Sequence, residues 1–229
     1  MLAIIVPAHD EENHLDACLA SLEVSAKNPA LRGEAVVRIV VLDDCTDGTA
    51  HLVQRHGATA VTICARNVGM ARSAGASFAL RQGARWLAFT DADSTVAADW
   101  LAAQLAQNSD AVCGTVSVDD WDSYGERMKA HFSATYNSCH GHRHIHGANL
   151  GVSASAYQKA GGFAPLACSE DVALVRALEA CGCSIAWSAA PQVVTSARPA
   201  FKAPGGFGAT LSRIEQLGQW VLAPKVAAA

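Results

Sequence analysis

The sequence has no block of Lys or Arg residues that would follow a nucleic-acid backbone. Its 17 basic residues are scattered and are outnumbered by 21 acidic ones, which gives a formal net charge of -4. Because nucleic-acid binding depends on positive charge clustered against phosphates, we expect no nucleic-acid partner. With 51% hydrophobic and 17% charged residues, the chain instead has the composition of an ordinary globular protein. One domain, residues 1–229, is the expected organisation.

Long hydrophobic runs are also missing. The N-terminal apolar stretch is short, has no basic flank and is interrupted by Pro7, so it predicts a β-strand rather than a signal peptide or a membrane span. The closest cysteine pair, Cys181 and Cys183, has one residue between its members, which fits neither a CxxC redox motif nor paired zinc ligands. We therefore expect reduced thiols and a cytoplasmic protein.

Strand-like and helical segments alternate along the first half of the chain. The strand-like runs are "LAIIVPA", "VVRIVVLDD", "ATAVTICA" and "RWLAFTDAD". Between the first two, "EENHLDACLASL" places Leu15, Leu19 and Leu22 on one helical face. This rhythm predicts a single Rossmann-like α/β domain with a mostly parallel central sheet flanked by helices.

Polar residues follow each predicted strand. Ligands of such sheets bind in the crevice beyond the carboxyl ends of the strands. Neither a GxGxxG turn after the first strand nor a GxxxxGK[ST] motif is present, so the dinucleotide and P-loop versions of the fold lose their support. A nucleotide held by carboxylates and a metal remains. The candidates at the strand ends are Pro7, His9 and Glu11, then Asp43 and Asp44, then Arg66 and Asn67, and finally Asp91 and Asp93.

The stretch "FTDADS" carries two aspartates directly after an apolar run. In an extended chain, residues i and i+2 project to the same side, so Asp91 and Asp93 can aim both carboxylates at one point. Mg²⁺ or Mn²⁺ suits such a pair, with the remaining positions taken by waters and a diphosphate. Alternatively, the two residues only precede and cap a predicted helix, "STVAADWLAAQLAQ".

Taken together, these motifs resemble family 2 glycosyltransferases, which have the A-type glycosyltransferase fold and use nucleotide sugars. The order of the motifs agrees over most of the chain. Two departures are Asp10, where the family usually has Asn, and a slightly short "DDCTDGT" loop. The matching segments are "IIVPAHDEENHLDACLASL", "VVLDDCTDGTAHLV", "ARNVGMARSAGASFAL", "FTDADS", "HGANLGVSASAYQKAGGF" and "SEDVALVRALEACG".

The resemblance implies a nucleotide-binding half at about residues 1–110 and an acceptor-binding half at about 111–200. In the first half, Asp93 would hold Mn²⁺ or Mg²⁺, with Asp91 beside it on the metal or the ribose. The donor would be a UDP- or GDP-sugar. Asp43 or Asp44 would contact the nucleobase, and the same pocket would be lined by Pro7, His9 and Glu11.

Two arginines, Arg66 and Arg72, are candidates for the diphosphate. The alternative is that each is a solvated charge on or beside the helix after Gly69, which is the usual state of an arginine.

Transfer to a hydroxyl requires a group that takes the acceptor's proton. The resemblance places that base at Asp171 in "CSEDVALVRALEACG", where Ser169 would cap a helix that ends at Gly182. First-turn acids also stabilise helices without catalysing anything, so that alternative stays open. A single base favours inversion by direct displacement, and a retaining mechanism stays open because retaining enzymes with this fold also carry a DxD motif. The predicted contacts to the unknown hydroxyl acceptor are His146, Asn149 and Glu170.

The histidines of "CHGHRHIHGAN" alternate, so His140, His142, His144 and His146 would share one face of an extended segment. Imidazoles bind transition metals well, which suggests a metal site. A polar segment lining the acceptor cleft is the alternative that we favour.

Near the C-terminus, Arg198 and Lys202 precede Gly205 and Gly206. This pattern predicts a loop that closes over the donor, with Arg198 on the diphosphate. Gly and Pro density is typical of any loop, however. A C-terminal loop and helix would occupy about residues 200–229. The long apolar helices of processive synthases are absent, and we expect peripheral membrane contact only if the acceptor is lipid-linked.

Two other functional classes stay open. A nucleotidyltransferase would share the α/β architecture, but "VPAHDEEN" has no Gly-rich basic loop. A non-catalytic nucleotide- or metal-binding module would explain the histidines without requiring Asp171.

Overall fold

The computed structural model describes residues 1–121, 123–198, 207–218 and 220. Within them, eight strands form one sheet. The strands are β1 (Leu2–Ala8), β2 (Val36–Asp43), β3 (Thr59–Ile63), β4 (Trp86–Phe89), β5 (Ser94–Val96), β6 (Ala111–Ser117), β7 (Leu150–Ser153) and β8 (Ile185–Thr195).

Helices cover both faces of this sheet. They are α1 (Leu15–Ala26), α2 (Thr49–Arg55), α3 (Val68–Arg81), α4 (Trp100–Leu105), α5 (Gly125–Thr135), α6 (Ala154–Lys159), α7 (Glu170–Ala180) and α8 (Phe207–Leu217). Short 3₁₀ turns lie at Pro29–Leu31 and Gly147–Asn149.

The strand order in the sheet is β3-β2-β1-β4-β7-β6-β8-β5. The pairs among β3, β2, β1 and β4 are parallel, and β7 is antiparallel to both β4 and β6. Because β8 is parallel to β6 and antiparallel to β5, six of the eight described strands run in one direction. The predicted mostly parallel α/β sheet is therefore confirmed. The chain order reverses between β1 and β4, and a crevice is expected at their carboxyl ends.

Alternating strand residues feed two apolar layers. On one face, Ile4 and Val6 pack with the helix α1, whose Leu15, Leu19 and Leu22 are fully buried as the periodicity predicts. On the other face, the helices α3, α6 and α7 pack against the sheet. The helix α3 approaches closely, because a Cβ at Gly75 would lie within 3 Å of side-chain carbons of Ile5 and Val41.

The segment after "FTDAD" differs from the sequence prediction. Residues 94–107 were expected to form one helix, but Ser94–Val96 is the strand β5, which pairs with β8 at the far edge of the sheet. The helix α4 begins only at Trp100. The three residues of β5 pair with a strand a hundred residues away and carry no local strand signal, so the helical pattern of the residues that follow them led the sequence prediction to one helix. Asp91 and Asp93 consequently do not cap a helix.

Helices α5 and α8 contribute to a third apolar cluster, in which Trp121, Met128 and Leu211 are buried and Phe132 and Ile214 are partly buried. Across the described residues, no helix is long and apolar enough to cross a lipid bilayer.

Candidate active site

A cavity of about 880 Å³ opens where the strands β1, β2 and β4 end. Most of the residues predicted at the strand ends line it, and so do residues from the second half of the chain. The predicted residues that line it are Pro7, His9, Glu11, Asp43, Arg66, Asn67, Arg72, Asp91, Asp93, His146, Glu170, Asp171 and Arg198.

Asp43 ends β2 and organises the neighbouring turn. Its buried carboxylate accepts hydrogen bonds from the backbone N–H groups of Ala65, Arg66 and Asn67, at 2.7 to 2.8 Å. His9 Nδ1 lies 2.7 Å from the Asp43 carbonyl oxygen, which ties the ends of β1 and β2 together. The Asp43 side chain therefore fixes the shape of this end of the cavity.

Asp44 lies beside the cavity but does not line it. Its carboxylate accepts a 2.6 Å hydrogen bond from Arg66 Nε, and this contact lowers the pKa of Asp44. Arg66 is two-thirds exposed, so it remains accessible to a ligand from the solvent side.

Asp91 and Asp93 face the cavity next to Glu11. Burial raises the pKa of Asp93 to about 6, and the negative charges of Asp91 and Glu11 add to this increase. Neighbouring carboxylates repel one another when both are ionised, and a bound cation removes this repulsion. The donor set therefore fits Mg²⁺ or Mn²⁺, which typically take one or two protein carboxylates and complete their shell with water and phosphate oxygens.

Arg198 neutralises part of this charge. Its guanidinium donates two hydrogen bonds to Glu11 and lies 3.1 Å from Asp93 Oδ2. The sequence predicted Arg198 as a phosphate ligand, and the structure places it at the predicted metal carboxylates. The rest of the predicted loop, including Lys202, Gly205 and Gly206, falls outside the described residues.

Arg72 is neither a solvated charge nor a free phosphate ligand. It is 3% exposed and forms ion pairs with Asp91 on one side and Glu170 on the other. Gly147 packs directly on the guanidinium, and any side chain at that position would collide with it. Arg72 thus joins the end of β4 to the start of α7, and Glu170 is committed to this buried pair.

Asp171 stands in the first turn of α7 and lines the cavity. Its Oδ2 accepts a 2.8 Å hydrogen bond from the Gly147 N–H, and its Oδ1 accepts one from the Val172 N–H. Ser169 occupies the N-cap position with φ of 60°, but its side chain makes no capping bond. The carboxylate is held in one orientation with access to the cavity.

A family model described as "Glycosyl transferase family 2" matches residues 3–160. The chain belongs to glycosyltransferase family 2. This match spans the strand-end residues and the Asp91–Asp93 pair, and it stops before Asp171 and Arg198.

Solved structures of glycosyltransferases share the fold of this family 2 chain. Residues 1–349 of TarS from S. aureus, in complex with UDP-GlcNAc, align with a TM-score of 0.64 and 15% identity over 90% of this chain and 61% of that one. The mannosyltransferase PcManGT from Pyrobaculum calidifontis, in complex with GDP-Man and Mn²⁺, aligns with a TM-score of 0.62 and 18% identity, covering 97% and 65%.

A third neighbour is glucosyl-3-phosphoglycerate synthase from Mycobacterium tuberculosis, in complex with Mn²⁺, UDP and glucosyl-3-phosphoglycerate. It aligns with a TM-score of 0.63 and 15% identity, covering 98% of this chain and 81% of that one. The chain spans about three fifths of the length of the S. aureus TarS 1–349 chains. No curated protein sequence matches it significantly. At these identities the likeness establishes the A-type glycosyltransferase fold.

Asn149, one of the predicted acceptor contacts, does not line the cavity. Asn149 is fully buried, accepts a hydrogen bond from Trp100 Nε1 at 2.9 Å, and donates from Nδ2 to the carbonyls of Thr115 and Pro191. Its side chain also fills the space against Gly114. Asn149 therefore joins α4, β6 and β8, and the structure does not support an acceptor contact.

The histidine run packs in a stack of aromatic rings and does not form a cluster of metal ligands. His144 stacks on Tyr136 with centroids 4.2 Å apart, and Tyr136 stacks on Phe132 at 4.5 Å. His142 is buried against Ser188 and Trp187. In the described parts of the chain, no group of three or more His, Cys, Asp or Glu side chains could hold a metal by itself. The histidine run therefore forms no such cluster, and a cation on the Asp91–Asp93 pair would need water and phosphate oxygens to complete its shell.

His146 is the run's buried member beside Asp171. Its Nε2 lies 2.9 Å from the Tyr136 hydroxyl, which accepts a hydrogen bond from the Val116 N–H. Burial lowers the pKa of His146 to about 4, so the ring is neutral near pH 7.

Sequence reasoning missed the residues of α5 and α8 that line the cavity. Phe132, Thr135 and Tyr136 come from α5 and the residue after it, while Leu211 and Ile214 come from α8. The only available signal was the i, i+4 spacing of Phe132 and Tyr136, which predicts contact on a helix but not proximity to Asp171.

Proposed function

We propose that this family 2 chain transfers a sugar from a UDP- or GDP-sugar to an acceptor hydroxyl. The observation that carries the proposal is one cavity in which the Asp91–Asp93 pair, Glu11 and Asp171 all take part. The solved neighbours bind UDP-GlcNAc, GDP-Man and Mn²⁺, which supports the same class of donor and cation here.

Asp93 and Asp91 would hold Mn²⁺ or Mg²⁺, and the bound ion would stabilise the negative charge that develops on the departing diphosphate. Asp43 shapes the pocket end where the nucleobase is expected, between the turns that follow β1 and β3. Arg198 is close enough to Asp93 to pass from the carboxylates to the diphosphate, where its planar guanidinium can form two parallel hydrogen bonds.

Asp171 would accept the proton of the acceptor hydroxyl as it attacks. The Gly147 N–H orients its carboxylate, and the buried Arg72–Glu170 pair fixes the start of its helix. A single carboxylate in this position, with no second nucleophile assigned, favours direct displacement and inversion at the anomeric carbon.

Release of the nucleoside diphosphate from UDP-GlcNAc and GDP-Man, each with Mn²⁺, tests the proposal. We expect slow release by the wild type, and a fall of about a hundredfold or more in Asp171→Asn, with nucleotide affinity retained. Glu179→Gln, at the exposed end of the same helix, is the matched control and should release at the wild-type rate. Nucleotide binding without release from any donor would instead indicate a binding module, and equal release by Asp171→Asn would remove its role as the base.

A further inference from the structure

One wall of the cavity is built from rings. We define the aromatic wall as Phe132, Tyr136, His144 and His146, all of which line the cavity. Three of the rings form a continuous stack, and the fourth lies 2.9 Å from the Tyr136 hydroxyl through its Nε2. The helix α8 extends this wall with the apolar side chains of Leu211 and Ile214.

The aromatic wall lies beside the proposed base. Gly147, whose N–H bonds Asp171, directly follows His146 in the chain. His146 is close enough to Asp171 for the carboxylate to affect its protonation. A molecule placed against the wall would therefore have its hydroxyl near Asp171.

The described Lys and Arg side chains of the cavity are paired with carboxylates outside the aromatic wall. Among the described residues that line the cavity, the Lys and Arg side chains are Arg66, Arg72 and Arg198. Each of them is paired with carboxylates: Arg66 with Asp44, Arg72 with Asp91 and Glu170, and Arg198 with Glu11 and Asp93.

The wall's own histidines do not supply a cation near pH 7. Burial lowers the pKa of both His144 and His146, in the second case to about 4. Among the described residues, a phosphate or carboxylate placed at the wall would meet no cation of the wall itself and would lie near the negative charge of Asp171. Burying an unpaired anion in such a place is costly.

We propose that the aromatic wall is an acceptor subsite for an uncharged ring that carries a hydroxyl, and that it rejects phosphorylated and carboxylated acceptors. The chemistry fits a sugar or an aryl alcohol, because ring edges and aliphatic side chains pack against a ring while the Tyr136, Thr135 and histidine polar atoms orient its hydroxyls. As an acceptor site it rests on the proposed transfer function.

Phenyl β-glucoside and phenyl β-glucoside 6-phosphate are a matched pair of probes that differ only in the phosphate group, which carries the negative charge. Their binding is measured by calorimetry on the protein alone and with UDP and Mn²⁺ present. We expect the neutral probe to bind about tenfold tighter or more. Methyl β-glucoside and benzyl alcohol show whether the wall recognises a sugar ring or an aryl ring. The probe that binds more tightly identifies the recognised ring.

Two lysine variants on α5 locate the preference at the wall. Thr135 and Ser133 are both exposed, and each hydroxyl donates to the carbonyl four residues earlier, but only Thr135 lines the cavity. Thr135→Lys places a cation at the wall and should tighten binding of the 6-phosphate about tenfold. Ser133→Lys adds the same charge outside the cavity and should leave both affinities unchanged.

Binding of UDP with Mn²⁺, measured on the same three proteins, separates this inference from the proposed function. Intact nucleotide binding with equal or tighter binding of the 6-phosphate by the wild type would overturn the subsite and leave the transferase proposal standing. Failure of the wild type to bind either phenyl probe, or an equal response in Ser133→Lys, would overturn it as well. Selective binding of the neutral probe without nucleotide binding would support the ring site while removing the transferase proposal.

Discussion

Arg198 forms a two-pronged ion pair with Glu11, from Nη1 to Oε2 at 2.8 Å and from Nη2 to Oε1 at 2.7 Å. The pair joins the turn after β1 to the residues that follow β8, 187 positions away in the chain. Because Nη2 also lies 3.1 Å from Asp93, one guanidinium neutralises both Glu11 and a carboxylate of the proposed metal site. A divalent cation bound at Asp93 would compete with Arg198 for that negative charge.

Replacing this arginine should change metal and nucleotide binding in opposite directions. In Arg198→Gln, we expect Mn²⁺ alone to bind about tenfold tighter, because a competing cation is lost, and UDP with Mn²⁺ to bind about tenfold more weakly. Calorimetric titration measures both. Arg85→Gln, which breaks the Arg85–Glu34 pair at the opposite end of β4, is the control and should change neither affinity. A parallel loss of both affinities would contradict the competition.

Asn149 should matter for stability rather than for acceptor binding. Asn149→Ala leaves the buried Trp100 Nε1 and the carbonyls of Thr115 and Pro191 without their partner. We expect the free energy of unfolding to fall by about 3 kcal/mol, as measured by urea denaturation. Folded Asn149→Ala protein should bind the neutral phenyl probe like the wild type. A selective loss of that binding without a loss of stability would restore Asn149 to the acceptor site.

His146 should make folding stability depend on pH. Its pKa falls from 6.5 to about 4 on folding, so between these values the unfolded chain binds the proton and the folded chain does not. The contribution of His146 to stability is therefore fully present above pH 6.5 and is lost as the pH falls towards 4, by up to about 3 kcal/mol. Asp93, whose pKa is raised to about 6, contributes in the opposite direction over part of this range, so the His146 contribution is measured as a difference between two proteins. In urea titrations, the difference in the free energy of unfolding between the wild type and His146→Gln should change by up to about 3 kcal/mol between pH 6.5 and 4, to the disadvantage of the wild type at the lower pH.

The matched control for this pH series is His51→Gln, which replaces an exposed histidine on α2. It should show the same pH dependence as the wild type between pH 6.5 and 4. An unchanged pH dependence in His146→Gln would contradict the contribution assigned to His146.

The first half of the fold was accessible from sequence because its signals are local. The strands are near-continuous apolar runs, which predicts a parallel sheet. Asp43 ends one of them and Asp91 follows another, which predicts the edge of the sheet where polar groups meet. The helix α1 was equally clear from the spacing of Leu15, Leu19 and Leu22.

What could not be predicted depends on contacts between distant parts of the chain. The strand β5 forms only because β8 pairs with it, and Arg72 is buried only because Asp91 and Glu170 converge on it. The stacking of Tyr136 on His144 likewise depends on α5 lying next to the histidine segment. Residue type and spacing carry no information about such partners.

Thermal unfolding with UDP or GDP, each with and without Mn²⁺, tests the proposed metal-dependent nucleotide site most directly. For the wild type, we expect one nucleotide to raise the unfolding midpoint by about 5 °C only when Mn²⁺ is present. Asp93→Asn should lose this increase, and Asp99→Asn, which changes an exposed aspartate just before α4, should retain it. An equal Mn²⁺-dependent increase in Asp93→Asn, or no increase with either nucleotide in the wild type, would contradict the proposed site.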